Sequence, residues 1–327
     1  MKVTAVRRFV LFAAASIASL IGMAPATAQD WPTRNLTVVV PLGPGSASDL
    51  IARSVMEQVG KQIGQTVVVE NRPGAGGTIG ANQVAKSAPD GYTILAYGAL
   101  ATAHALHARL PYDTLNDLIP VIAFGQQPLV VITGADKGYK ALADLVAAGK
   151  AKPGALNYST AGVGSASHFG AERLRTSAGF EAQHIPFKGA PEAVTEVIAG
   201  RIDFSTQLGA TTLPLIREGK LKALAVSAHR RASAMPDVPT TIEAGLKSDS
   251  VYPFYSAVYV PAKTPRAIVE RLHREIAAAL QTPAVKARFA QLGVEPMPGT
   301  QEEFAKFFRE DVDAAVALVK AAKIPTQ

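Results

Sequence analysis

Three short segments of this 327-residue chain gather groups that could bind or react. Thr160-Ala-Gly-Val-Gly-Ser-Ala-Ser-His168 sets hydroxyls at Thr160, Ser165 and Ser167 and an imidazole at His168 among small residues. A hydroxyl beside an imidazole is the raw material of a nucleophile and its base. An exported serine hydrolase using Ser165 or Ser167 with His168 is therefore one reading. The spacing speaks against it: the G-x-S-x-G elbow is absent, and a histidine one or three residues from a serine at a helix start does not make a triad. Donation of hydroxyls and N–H groups to a ligand is the preferred reading.

Gly74-Ala-Gly-Gly-Thr-Ile-Gly80 approximates the dinucleotide fingerprint. That fingerprint also requires an acid at the end of the next strand to hold a ribose. The run Tyr92–Tyr97 ends in Gly98 and Ala99 instead, and Asp90 lies at its wrong end. A nicotinamide cofactor is not expected, yet the loop can offer N–H groups and the Thr78 hydroxyl to an anion. In the third segment, Pro41-Leu-Gly-Pro-Gly-Ser-Ala-Ser-Asp49, a strand ends, glycines turn the backbone and a helix begins. Helix starts carry unpaired N–H groups and partial positive charge, which suits a carboxylate. A plain turn with a serine cap accounts for the same residues equally well. Asp49, in the first helical turn, reads as mainly structural. Of six histidines only His104 and His107 stand close, H-E-x-x-H is absent and there is no cysteine, so no metal site is expected.

The elements that position these segments follow from periodicity. Leu36–Pro41 is a buried strand without alternation, and Leu50, Ile51, Val55, Met56, Val59 and Ile63 mark a helix. Thr66–Glu70 and Tyr92–Tyr97 are strands with a helix from Ile79 to Ser87 between them. This β-α-β-α-β order predicts a parallel sheet with sites at the carboxyl ends of its strands. A second β/α unit follows, with strands at 121–124, 129–133, 157–159, 182–186, 204–207 and 221–227 and helices at 141–148, up to Ala178, and 192–199. The tail returns to the first style, with a strand at Tyr252–Pro261 and helices from Pro265, Pro283 and Gln301. No flexible linker separates the units, so the chain is expected to cross twice, near Phe124–Pro128 and Val251–Tyr255. Residues 29–124 and 255–327 then form lobe 1, and 125–254 form lobe 2. The cleft between them is the expected site.

Composition sets the compartment and excludes some partners. Residues 1–28 carry Lys2, Arg7 and Arg8, then an apolar run from Phe9 to Met23, then Ala26-Thr27-Ala28. This is the pattern of a cleaved secretory signal peptide. Its removal takes three positive charges from the net +7, leaving 30 basic against 26 acidic residues, or +4. Lys and Arg are scattered, so nucleic acid is not an expected partner. Hydrophobic residues at 48% and charged residues at 18% fit a folded soluble domain pair.

Several segments follow one another in a distinctive order along the chain. Trp31-Pro32 leads into Leu36–Pro41, and Val67-Val-Val-Glu-Asn-Arg-Pro-Gly-Ala-Gly-Gly77 is followed by Ala88-Pro-Asp-Gly-Tyr-Thr93 and the loop ending at His168. Phe187-Lys-Gly-Ala-Pro191, Gly200-Arg-Ile-Asp203, Met235–Thr240 and Pro261-Ala-Lys-Thr-Pro265 complete the series. From about Trp31 to Ile324 the chain resembles the periplasmic substrate-binding receptors of tripartite tricarboxylate transporters, the Bug-type receptors. The resemblance implies an α/β Venus-flytrap fold, two lobes each with a mostly parallel sheet, closing on a small organic acid. It implies a monomeric receptor rather than an enzyme, without cofactor, serving membrane permease subunits. A ligand sensor for a signalling kinase is the alternative partner role. Carried over residue by residue, the ligand loops of lobe 1 are Leu42, Gly43, Pro44, Gly45, Ser46 and Ala47, with Ala75, Gly76, Gly77 and Thr78. Lobe 2 adds Thr160, Ser165, His168, Lys188 and Gln207, while Asp203 is a turn residue or supports the site from behind. Two departures face the expected cleft. The first loop lacks the family's aromatic after the proline and its paired glycines, and Tyr255 stands near a position commonly held by tryptophan. Both leave the identity of the acid open.

Overall fold

The branched run Leu36–Val40 becomes an inner strand, as the pattern predicts, whereas the equally branched Val67–Asn71 forms a sheet edge. The computed structural model describes residues 31–326 apart from Pro253, Pro298 and Lys323, so the expected leader lies outside the described residues. The first sheet contains β1 (Leu36–Val40), β2 (Val67–Asn71), β3 (Thr93–Tyr97), β4 (Leu118–Gln127), β10 (Phe254–Pro261) and β11 (Glu295–Pro296), in the order β11-β4-β10-β3-β1-β2. The second contains β5 (Leu129–Gly134), β6 (Leu156–Thr160), β7 (Ala182–Pro186), β8 (Phe204–Leu208) and β9 (Leu221–Ser227), in the order β7-β6-β8-β5-β9.

The sheets are mixed. β1 pairs in parallel with β2 and β3, and β6 with β7 and β8. In each sheet one inner strand runs against its neighbours. β10 is antiparallel to β3 and β4, and β5 is antiparallel to β8 and β9. These two strands are the first to follow a crossing between sheets, which occurs at Pro128 and again between Ser227 and Phe254. Residues 125–127, expected in the second lobe, extend β4 of the first sheet, where Gln127 pairs with Phe254.

Helices cover both faces of each sheet. They are α1 (Ala47–Ile63), α2 (Thr78–Ala85), α3 (Leu100–Leu106), α4 (Leu142–Ala151), α5 (Ala166–Ala178), α6 (Ala190–Ile198), α7 (Gly209–Arg217), α8 (Arg266–Gln281), α9 (Pro283–Leu292) and α10 (Gln301–Ala321). Neither α3 nor α7 is expected from sequence; α7 carries Pro214 in its interior. Among the described residues no helix is long and apolar enough to cross a membrane.

One apolar cluster joins Leu100, Leu106, Tyr252, Tyr255, Tyr259, Phe304 and Phe308 with Leu129 and Phe169, which belong to the second sheet and its helix α5. Phe169 and Tyr252 rings lie 5.9 Å apart at this junction. Shortening a buried phenylalanine to alanine costs about 3–5 kcal/mol, so this junction between the sheets contributes substantially to stability. Tyr255 is part of this packing. It is 1% exposed, donates to Asp311 Oδ2 at 2.9 Å and lies edge-on to Phe304 and Phe307. The expectation that it faces the cleft is therefore corrected.

Candidate functional site

The first loop is built around one carboxylate. Ser46 caps α1, its Oγ accepting from the N–H of Asp49 at 3.3 Å. Asp49, 2% exposed, turns back to accept from Gly45 N (2.9 Å), Asn71 Nδ2 (2.9 Å) and Arg53 Nε (2.9 Å). Asn71 Nδ2 also donates to Leu42 O at 3.0 Å, tying the end of β2 to the end of β1. The N–H groups of Ala47 and Ser48, in the first turn of α1, have no acceptor among the described residues. Sequence reasoning took Asp49 as structural but did not see that it holds the loop together with Arg53 and Asn71. The signal available was an acid in the first turn with an arginine four residues on.

The second loop is held from below. Tyr97, at the end of β3, donates its hydroxyl to Gly76 O, and burial pushes the phenol up from its ordinary value. Gly77 has φ 94°, and a Cβ there would overlap the Tyr97 hydroxyl, so only glycine serves. Thr78 is buried and spends its hydroxyl proton on Ala75 O at 2.9 Å. It is not a free donor, contrary to expectation. Ala75 and Gly76 are exposed on the loop.

The third loop, 161–165, opens α5. Ser165 Oγ caps the helix by accepting from His168 N (3.3 Å) and donates to Gly162 O (2.7 Å). Ser167 Oγ accepts from Ala161 N at 2.8 Å and lies 2.9 Å from Ser165 Oγ. The first-turn amides of Ala166 and Ser167 have no acceptor among the described residues. Leu106, at the end of α3, occupies the space where a Cβ on Gly164 would go. The loop of the second sheet therefore meets a helix packed on the first, and α3 also lies beside the second loop, with His107 Cε1 3.8 Å from the Cβ position of Gly76.

Several expected ligand groups sit behind this surface. Thr160 is fully buried, with Oγ1 2.6 Å from His184 Nε2 and accepting from Gly162 N at 3.2 Å. His168 is 4% exposed; its Nδ1 accepts from Gly164 N at 3.2 Å, and its ring stacks on His184 at 4.1 Å. That ring bonds neither Ser165 nor Ser167, which leaves a hydrolytic pair without its base. Burial, and then the neighbouring His184, push the His168 imidazole down to about 4. Burial lowers His184 as well. Gln207 is buried on β8 and donates to Ser205 Oγ at 3.0 Å. Lys188 is exposed after β7, and its ammonium makes no ion pair among the described residues. Asp203 accepts from Asn157 N and pairs with Lys137 at 2.7 Å, away from these loops. Among the described residues, no three His, Cys, Asp or Glu side chains are placed to hold a metal ion.

Two β/α sheets joined by two crossings, with helix starts at the carboxyl ends of their parallel strands, define a two-lobed solute-binding protein. The chain belongs to the tripartite tricarboxylate transporter family receptors, whose family model matches residues 51–324. It is 35% identical over 300 residues to protein BugT of Bordetella pertussis, covering 91% of this chain and 92% of BugT. Among solved structures it is similar to MatC from Rhodopseudomonas palustris with bound malate. Identity there is 30%, coverage 88% of this chain and 100% of MatC, and the TM-score 0.79. It is also similar to R. palustris Rpa4515 with adipate, at 28% identity, 91% and 100% coverage and a TM-score of 0.83.

Proposed function

We propose that this chain is an exported, monomeric periplasmic receptor that closes two lobes on a small organic carboxylate and delivers it to the membrane subunits of a tripartite transporter. The observation that carries the reading is the set of unpartnered first-turn amides at Ala47, Ser48, Ala166 and Ser167. Each helix start adds partial positive charge, and a desolvated anion gains more from such donors than a neutral guest does. Relatives of the same fold are described with malate and with adipate, both dicarboxylates. Residues 42–47 and 75–78 would line the first lobe's side, and Ser165 and Lys188 the second's. The exposed Lys188 ammonium is a counter-charge available to a second carboxylate. The sheet crossings suggest lobe boundaries at Pro128 and within 228–253. The hydrolase reading has no geometric support, because the His168 ring is engaged by Gly164.

A thermal-shift series with malate, adipate, citrate and benzoate, and glucose as neutral control, tests this reading. At 100 times the dissociation constant, binding stabilises the fold by ~2.7 kcal/mol. That is a rise of roughly 5 °C for a protein of this size. A rise with glucose and none with any acid would refute the carboxylate assignment.

A further inference from the structure

Two buried histidines lie directly behind the glycine-serine loop, and each is tied to one of its glycines. His168 Nδ1 accepts the Gly164 N–H at 3.2 Å. His184 Nε2 shares a 2.6 Å hydrogen bond with Thr160 Oγ1, which in turn accepts the Gly162 N–H at 3.2 Å. Both glycines have positive φ, 118° at Gly162 and 80° at Gly164. Without those two tethers the most permissive positions of the loop would be the least restrained. The rings are themselves fixed. They stack on one another at 4.1 Å with an interplanar angle of 11°, His184 stacks on Tyr158 at 5.0 Å, and His168 lies edge-on to Phe169 at 6.3 Å.

We propose that His168 is a positioning residue for ligand binding: its Nδ1 lone pair holds the Gly164 amide and so aims the free N–H groups of Ala166 and Ser167, without itself touching the ligand. The inference rests on the receptor reading above for what those amides receive, and on the structure alone for the tether.

The tether requires a neutral ring, because a protonated Nδ1 would face the Gly164 N–H donor to donor. The surroundings keep it neutral. The groups facing the pair are Tyr158 of β6 and Glu172 and Arg175 of α5. Glu172 is bound by Arg175 at 2.8 Å and by the Tyr158 hydroxyl, so its charge is already matched. Two imidazoles stacked this closely also repel a second proton. Burial and His184 together hold His168 down to about 4.

Three variants separate an acceptor from a merely space-filling ring. The amide oxygen of His168→Asn falls near the position of Nδ1. His168→Gln reaches instead to the position of Nε2, and His168→Phe keeps the stack without any acceptor. The readouts are adipate and malate affinity by calorimetry and, in the ligand-free protein, hydrogen exchange at the Gly164 amide. Loss of one such bond corresponds to roughly tenfold in either quantity. His168→Asn is expected to stay near wild type in both. His168→Gln and His168→Phe are expected to bind roughly tenfold more weakly and to exchange Gly164 roughly tenfold faster. The Gly164 amide shift should also titrate with a midpoint near 4 in wild type and not in His168→Asn. If His168→Phe retains protection and affinity while His168→Asn loses both, packing of the ring is what matters and the proposal is wrong. Should wild type bind neither dicarboxylate, the receptor reading fails while the exchange series still decides the tether. If the phenylalanine variant does not fold, the asparagine and glutamine pair makes the same comparison.

Discussion

Asp49 offers a direct handle on how the first loop is shaped. Its carboxylate accepts three donors, Gly45 N, Asn71 Nδ2 and Arg53 Nε, each at 2.9 Å, from a side chain that is 3% exposed. Asp49→Asn leaves one oxygen, so at least one donor must face an NH2 group. A hydrogen bond to a charged group contributes about 1.5–3 kcal/mol, and leaving a buried donor unpaired costs a similar amount. The ion-pair component adds little, since Arg53 is 47% exposed. The expected loss is about 2 kcal/mol for Asp49→Asn, and about 3 kcal/mol for Asp49→Ala, which removes the shared acceptor and leaves Gly45 N without a partner. Urea unfolding should show the loss in the midpoint with an unchanged slope. Affinity for whichever dicarboxylate binds wild type should fall by roughly tenfold or more, since Gly45 is no longer held beside the free amides of Ala47 and Ser48. A cycle with Asn71→Ala should reveal coupling of at least ~0.5 kcal/mol. An asparagine variant within about 0.5 kcal/mol of wild type and with unaltered affinity would refute this account of the loop.

Two further changes probe the scaffold. Burial raises the Asp311 carboxyl from 3.8 to about 6, so between those values the native state holds a proton that the unfolded chain has released. Its contribution to stability is greatest at acid pH and is lost as pH rises through 6. Asp311→Asn, permanently neutral and still able to accept from Tyr255, should gain on the order of 2 kcal/mol over wild type at pH 8 relative to pH 4. Chemical denaturation across pH measures it, and a difference independent of pH would sink the assignment. At the second loop, Gly77→Ala combines the strain of φ 94° with overlap on the Tyr97 hydroxyl, and should cost about 2–3 kcal/mol. Pairing it with Tyr97→Phe should recover part of that cost in the same assay; no recovery would mean the clash is not the cause.

The strands were legible because apolar branched runs have one comfortable setting, the inside of a sheet. The parallel run of the first three strands was legible from their β-α-β-α-β order, but the direction of two inner strands was not. Nothing local in Leu129–Gly134 or Phe254–Pro261 says that these segments run against their neighbours, since direction follows from where the chain re-enters each sheet. Helix α3 escaped notice because Leu100–Leu106 is buried on most sides and begins at Ala99 without a side-chain cap, so it shows neither stripe nor start signal. Helix α7 was masked by Pro214. At the site, the polar loops were legible as polar loops. Whether Thr160, Thr78 and His168 point outward or brace their own backbone depends on loop dihedrals and on His184, 24 residues beyond Thr160. Spacing along the chain holds no record of that partner.

The most direct test of the receptor mechanism is a titration of the 15N-labelled protein with adipate, followed through its backbone amide resonances. The account predicts that the amides of Ala47, Ser48, Ala166 and Ser167 move downfield together, as N–H groups that gain a carboxylate acceptor do. Contradiction would be adipate binding that leaves these four unmoved and perturbs instead Gln127, Ser227 and Tyr252, which line a separate cavity of ≈ 70 Å³ where the chain crosses between the sheets.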